Sequence, residues 1–173
     1  MNVLEIFKGI NTFVFDVDGV MTDGSLLVMP GGVMVRRMNI KDGYALQLAV
    51  KKGYNVAVIS GAFSQEVKER LNKLGITNVF MRVEDKAACL LDYLKSIGST
   101  TAETLFMGDD IPDHEAMRLC KLPCSPTDAA IEIKDISLYI SPLTGGAGCV
   151  RDVIEKVLKL NGGWELKTHI KAQ

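Results

Sequence analysis

The stretch Thr12 to Gly24, TFVFDVDGVMTDG, decides the fold. Thr12 to Val17 form a short run rich in β-branched and aromatic side chains, and Asp18-Gly19 closes it, the pattern of a buried strand followed by a turn. Similar runs recur at Asn55 to Ile59, Asn78 to Met81, Thr104 to Met107 and Ser137 to Ile140. Between them lie amphipathic stretches of helical length: Asp42 to Lys52, Ser64 to Leu74, Glu84 to Ile97, Pro112 to Cys120 and Val150 to Leu160. Asp42 and Ser64 read as N-caps, while Gly53, Gly75 and Gly98 stand just past helix ends. Strands alternating with helices imply an α/β fold, a doubly wound parallel sheet with helices on both faces.

One segment breaks the alternation. Ser25 to Met29 and Val33 to Met38 read as two strands joined by Pro30-Gly31-Gly32, a β-hairpin at about residues 25–38, directly after the first strand. Leu26, Leu27, Val28, Met29, Val33, Met34 and Val35 are too many apolar side chains for a ribbon left in water, so the hairpin is expected to be an assembly element. The bland alternative is that it folds back on its own domain.

Residues 1–173 suffice for one domain with a substantial core. The tail at about 161–173 shows no periodicity. Twenty Lys and Arg against 21 Asp and Glu give a net charge of -1, which offers no footprint for nucleic acid or an anionic membrane. No stretch approaches the roughly 18 apolar residues of a membrane span, and Met1 to Lys8 lack a secretory leader, so a cytoplasmic setting is expected. Cys89, Cys120, Cys124 and Cys149 show no CxxC spacing, and buried free thiols are the better reading.

Open parallel sheets bind ligands beyond the carboxyl ends of their strands. The first strand delivers Asp16 and Asp18, then Thr22-Asp23-Gly24. The second delivers Ser60-Gly61; Lys86 follows the third; the fourth delivers Gly108-Asp109-Asp110, with Asp113 three residues on. Each piece alone has an ordinary explanation: a turn at Asp-Gly, a helix approach at Ser60, a solvated lysine, an N-cap near Pro112. Their order at successive strand ends makes the functional reading the stronger one.

Clustered carboxylates repel. At an effective dielectric near 20, each like-charged pair about 4 Å apart costs about 4 kcal/mol, so a cation is required. Oxygen ligands plus an incoming phosphate oxygen suit Mg²⁺, with Asp16 and Asp109 as its natural direct ligands. Asp16 can then attack phosphorus to form an aspartyl-phosphate, while Asp18 exchanges protons with the leaving group and the hydrolytic water. Ser60 would donate to the phosphoryl group, Lys86 would neutralise it, and Asp110 and Asp113 would orient metal waters or Lys86.

DVDGVMTDG, ISG, the isolated Lys86 and GDDIPD resemble the four motifs of the haloacid dehalogenase (HAD) superfamily. Within it the chain resembles the capless phosphatases acting on 3-deoxy-D-manno-octulosonate 8-phosphate, a sugar acid of lipopolysaccharide biosynthesis. The likeness runs from about residue 10 to about residue 160. It includes the hairpin, Asn39-Ile40-Lys41-Asp42-Gly43, Arg70, and Gly145-Gly146-Ala147-Gly148. It implies a Rossmann-like core with no cap domain, and a metal held by Asp16, the Asp18 backbone carbonyl and Asp109. It also implies substrate contacts from Asp18, Asn39, Ile40, Lys41, Asp42, Gly43, Ser60, Gly61, Arg70 and Lys86, and a homotetramer in which a neighbouring subunit helps close the site.

Ala62 and Gln47 stand where some members have arginine. Phosphate transfer is untouched by this, but recognition of the substrate carboxylate then falls to Arg70, Lys73 or a tail lysine such as Lys167 or Lys171. A phosphatase of nine-carbon sugar acids is the nearest alternative. A dehalogenase has no need for Asp18 as an acid. A signalling receiver domain would place its phosphorylated aspartate on a middle strand, not the first.

Overall fold

The computed structural model describes residues 2–165. Helix α1 (Val3–Lys8) leads into β1 (Thr12–Phe15). A ribbon of β2 (Leu27–Val28) and β3 (Met34–Val35) comes next in the chain. After it stand α2 (Ile40–Lys51), β4 (Asn55–Ile59), α3 (Gln65–Lys73), β5 (Asn78–Phe80) and α4 (Lys86–Ser96). The remainder carries β6 (Thr104–Met107), α5 (His114–Leu119), β7 (Leu122–Ser125), α6 (Ile131–Ile136), β8 (Tyr139–Ile140) and α7 (Cys149–Leu160).

The main sheet has the order β5-β4-β1-β6-β7-β8, and every pairing in it is parallel. From β1 the chain winds outward through β4 to β5, then returns to β6 and winds outward to β8. The order therefore reverses at β1, which puts the switch point of the sheet at the end of the TFVFDV run. Alternate residues of each strand serve different layers. Phe13, Phe15, Val56, Val58, Leu105 and Met107 pack beneath α1, α2, α3 and α7, whereas Val14, Ala57, Ile59 and Phe106 pack beneath α4, α5 and α6. Both faces of β1 are thus fully buried, which is why its sequence reads as continuously apolar. Among the described residues no cap domain is inserted, and no helix is long and apolar enough to cross a membrane.

The structure corrects several expectations. The hairpin strands are shorter than the sequence suggested: only Leu27 with Val35 and Val28 with Met34 pair, around a turn at Pro30–Gly32. The ribbon does not fold back onto its own domain, since Leu27 is 63% and Val28 66% exposed. β7 was missed because its Leu-Pro-Cys-Ser sequence is short and contains proline. α1 and α6, six residues each, are too short for a periodic signal. The helix expected over Pro112 to Cys120 divides into a 3-10 turn, Ile111–Asp113, and α5. Cys120, Cys124 and Cys149 are buried free thiols, while Cys89 is half-buried. At the start of the tail, Trp164 packs edge-on against Tyr44; Lys167 and Lys171 lie outside the described residues.

Asp42 is not the N-cap of α2. Asn39 holds that place, its side chain accepting from the Lys41 amide at 2.8 Å. Asp42 sits one turn in, 3% exposed, and its Oδ1 accepts from the Arg151 amide of α7 at 2.8 Å. The N-cap position of α7 itself is Gly148, which has no side chain to offer, so Asp42 caps α7 from a neighbouring helix. Burial lifts the Asp42 carboxyl to about 6, against the Arg151 amide, the Arg151 charge and the Gly148 amide, which favour the charged form. A carboxyl raised in the fold contributes stability that is complete at acid pH and lost as pH climbs through about 6. Asp42→Ala, which leaves the first turn of α7 without its acceptor, should cost about 1 kcal/mol in urea denaturation. Asp42→Asn keeps an acceptor and sheds the buried charge, so it should match or exceed wild type at pH 7.5 and lose that advantage at pH 4.5.

Candidate active site

The carboxyl ends of β1, β4 and β6 and the N-terminus of α4 surround a cleft of about 290 Å³. It is lined by Asp16, Asp18, Gly24, Ser60, Gly61, Ala62, Lys86, Asp109, Asp110, Pro112 and Asp113. Asp16 stands directly after β1, and its amide extends the ladder to Met107 on β6 at 3.1 Å, so its carboxyl emerges at the switch point. Lys86 is the first residue of α4, whose N-cap Asp85 accepts from the Ala88 amide at 2.9 Å. The Lys86 ammonium reaches Asp16 Oδ1 at 3.0 Å and donates to Asp113 Oδ1 at 2.6 Å. Asp113 Oδ2 accepts from the Asp109 amide at 3.0 Å, so one carboxylate braces both the lysine and the GDD turn.

Two glycines make this convergence possible. A Cβ on Gly19, at φ +88°, would stand 1.9 Å from Asp109 Oδ2. One on Gly108 would stand 2.4 Å from the Asp113 Cβ. Any side chain at either position would displace a carboxylate. A third contact locks the β1 turn from behind, because a Cβ on Gly145 would lie 2.0 Å from the Gly19 carbonyl oxygen. The Gly146 amide donates to the Val20 carbonyl at 3.0 Å, and the Asn39 side-chain amide donates to the Gly146 carbonyl at 3.1 Å.

Oxygens of Asp16, Asp109 and Asp113 lie within 4.8 Å of one another. Asp109 Oδ1 is buried with no hydrogen-bond partner. An unsatisfied buried carboxylate oxygen is costly unless something absent from the protein alone completes it, and a hard divalent cation fits an all-oxygen set. Burial first, and then the Asp113 charge, raise the Asp16 carboxyl to about 7, with Lys86 opposing. Burial, then the charges of Asp16, Asp113 and Asp110, raise Asp109 to about 8. Burial disfavours the Lys86 ammonium, yet Asp16 and Asp113 outweigh it and hold that group above its ordinary value.

No family model matches the chain. Individual relatives do. It is 30% identical over 155 residues to the 3-deoxy-D-manno-octulosonate 8-phosphate phosphatase KdsC of Haemophilus influenzae, covering 90% of this chain and 86% of that one. The Moraxella catarrhalis phosphatase of that name, solved with magnesium, phosphate and a KDO molecule, is 32% identical and superposes with a TM-score of 0.88 over 91% of each chain. The chain belongs to the KdsC phosphatase family. Its fold is that of the HAD superfamily without a cap. The cobalt-bound Haemophilus influenzae phosphatase, at 29% identity, superposes with a TM-score of 0.87 over 91% of this chain and 92% of that one. Membership sets aside the receiver-domain and dehalogenase readings.

Of the residues singled out from sequence in this KdsC relative, Asp16, Asp18, Ser60, Gly61, Lys86, Asp109, Asp110 and Asp113 converge on the cleft. Ser60 is 2% exposed, and its Oγ accepts from the Ala62 amide at 3.3 Å. Asn39, Ile40, Lys41, Asp42 and Gly43 do not line the cleft: Asn39 and Asp42 tie α2 to the Gly146 loop and α7, and Ile40 is 72% exposed. Gly43 abuts Arg70, whose Nη2 would lie 2.9 Å from a Cβ there. Arg70 lines a separate cavity of about 310 Å³ beneath the hairpin, together with Arg36, Met38, Ser64, Glu66 and Val67.

Sequence reasoning missed Arg36 and Arg82. Arg36 sits in a ribbon whose sequence is dominated by apolar residues, yet it grips Asp18 with Nε at 2.7 Å and Nη2 at 3.0 Å. Arg82 lies at φ 57°, the one non-glycine at positive φ among the described residues, and its guanidinium stacks over Phe63 at 4.4 Å. No motif signals either contact.

Raised carboxyl values set the sign of the metal-free pH response. Stability from Asp16 and Asp109 is complete at acid pH and lost as pH climbs through about 7 and about 8. With EDTA present, Tm should therefore fall between pH 6 and pH 9. Added Mg²⁺ should restore it, most strongly at pH 9, and Asp109→Asn should both flatten the metal-free slope and remove the response to Mg²⁺. Thermal melts across that range check all three.

Proposed function

We propose that this protein is a magnesium-dependent phosphatase that hydrolyses 3-deoxy-D-manno-octulosonate 8-phosphate through an aspartyl-phosphate on Asp16, in the cytoplasm. The observation that carries the reading is the convergence of Asp16, Asp109 and Asp113 around Lys86, in a chain that superposes on a relative holding magnesium, phosphate and KDO. Asp16, Asp109 and the Asp18 backbone carbonyl would hold the ion. When bound, it neutralises negative charge on the carboxylates and the phosphoryl oxygens.

Asp16, fixed by the Lys86 ammonium on one oxygen, presents the other to phosphorus. Attack forms the Asp16–phosphorus bond as the bond from phosphorus to the sugar oxygen breaks, and Asp18 gives that oxygen a proton. Asp18 then takes a proton from water as the water oxygen attacks phosphorus, releasing phosphate and regenerating Asp16. Lys86 and Ser60 stabilise the transferring group, with Asp113 and Asp110 holding the lysine and the GDD turn from behind. Substrate recognition rests on Arg70, the Asn39 to Gly43 segment and Gly61. Arg70 and that segment reach the sugar end only from outside the phosphate cleft, so a neighbouring subunit completes the site in this reading.

A direct test compares kcat/KM on the eight-carbon substrate, its nine-carbon analogue and hexose phosphates, with Asp16→Asn as control. The eight-carbon compound should be fastest, and Asp16→Asn should retain no more than about one per cent of activity on any of them. Faster turnover of the nine-carbon compound would transfer the assignment to that class, since Ala62 and Gln47 already depart from relatives bearing arginine there.

The hairpin supports assembly. Its apolar side chains Leu27, Val28, Val33 and Met34 are each more than half exposed, and two short paired strands cannot hold such a surface in water alone. The proposed state is a homotetramer with these ribbons buried between subunits. Light scattering at micromolar concentration should give the tetramer mass for wild type, and replacing Leu27, Val28 and Met34 by serine should lower it.

A further inference from the structure

The residue that serves twice in the proposed reaction, Asp18, is not free in the fold. Arg36 Nε donates to its Oδ1 at 2.7 Å and Arg36 Nη2 to its Oδ2 at 3.0 Å, a two-point fork that fixes both the position and the plane of the carboxylate. The fork is built rather than incidental. The Arg36 side chain is 5% exposed against 30% for Asp18. Asp18 lines the phosphate cleft and Arg36 does not; Arg36 instead lines the two cavities on the hairpin side. The guanidinium therefore stands behind the carboxylate, with Asp18 between it and the substrate.

Two further interactions hold Arg36 in that place. Its Nη1 donates to the Met34 carbonyl at 3.5 Å, which ties the guanidinium to β3, the strand just before it. The Glu66 carboxylate of α3 lines the same cavity and, with Asp18, favours the charged guanidinium. Each carboxylate oxygen has two acceptor directions. The fork takes one direction on each, and the cleft side keeps the others for a leaving oxygen or a water.

We propose that Arg36 is a positioning residue for proton transfer, acting through Asp18, and that it makes the hairpin part of the catalytic apparatus as well as an assembly surface. The inference rests on the reading of Asp18 as the proton-exchanging residue. Without the fork, the carboxyl rotates freely and is seldom oriented towards the leaving oxygen. The loss should fall on substrates that need that proton. A sugar alkoxide is a poor leaving group and needs protonation, whereas p-nitrophenolate departs without it.

The test measures kcat/KM for an alkyl phosphate, glycerol 3-phosphate or the sugar acid phosphate, and for p-nitrophenyl phosphate, in wild type, Arg36→Ala, Arg36→Lys, Asp18→Asn and the double variant Asp18→Asn/Arg36→Ala. The ratio of the two rates within one variant is independent of how much of that variant is folded. The alkyl-to-aryl ratio should fall at least tenfold in Arg36→Ala and in Asp18→Asn. Arg36→Lys, which keeps the charge without the fork, should fall between wild type and Arg36→Ala. In the double variant the ratio should be no lower than in Asp18→Asn alone, because Arg36 acts only through Asp18. An unchanged ratio in Arg36→Ala, or multiplying losses in the double variant, overturns the role of Arg36 while leaving that of Asp18 intact. An unchanged ratio in Asp18→Asn overturns the proton-transfer reading itself, and the proposal with it.

Discussion

A single ammonium group, that of Lys86, lets the acidic cluster exist inside the fold. It stands 3.0 Å from Asp16 and 2.6 Å from Asp113, two carboxylates that burial and mutual repulsion would otherwise drive apart or protonate. One cation does not balance three carboxylates. The remaining charge appears as the high values of Asp16 and Asp109 and as the partnerless Oδ1 of Asp109, so the fold carries a standing affinity for a further cation. Binding of metal and folding of the cleft are thereby linked, since whatever neutralises these groups favours the native state over the unfolded chain.

Holding charged groups this close demands backbone that leaves room. Gly19 and Gly108 are small because Asp109 and Asp113 occupy the space a side chain would fill. Gly145 and Gly146 then press against the β1 turn, and Asn39 and Asp42 secure that loop and the start of α7. The NIKDG and GGAG stretches, which do not line the cleft in one chain, are in this view the buttress of the DVDG turn. A cavity or a side chain in the buttress would move Asp16, the proposed nucleophile, by the fraction of an ångström on which in-line attack depends.

Legibility in the sequence tracked physical cause. β1, β4 and β6 are buried on both faces, so their apolar runs stood out, and with them the residues delivered at their ends. Asp16, Ser60, Lys86 and Asp109 were legible because the topology of a parallel sheet carries the residues just past its strands to one common edge. Strand β7 was not, since it carries Pro123 and pairs with β6 by a few residues only. Asp42 was misread for a reason of the same kind: an aspartate near a helix start looks like a local cap, and only the tertiary fold shows it capping α7. Arg36 lies 18 residues from Asp18 on an irregular ribbon, and no periodicity links the two.

The hairpin joins these themes. Its apolar side chains are exposed, which favours burial against another copy of the chain, while Arg36 sends its guanidinium to the Asp18 carboxylate. A two-stranded ribbon with so few paired residues has little stability of its own. Arg36 tethers it to the parent domain, and the tether ends on Asp18. Under the proposed mechanism, order imposed on the ribbon from outside would pass through this planar fork to Asp18, the proposed proton-exchanging group. In the proposed assembly a capless chain would draw from its own neighbours the precision that a lid domain supplies, because the exposed apolar surface and the guanidinium that grips Asp18 belong to the same short segment.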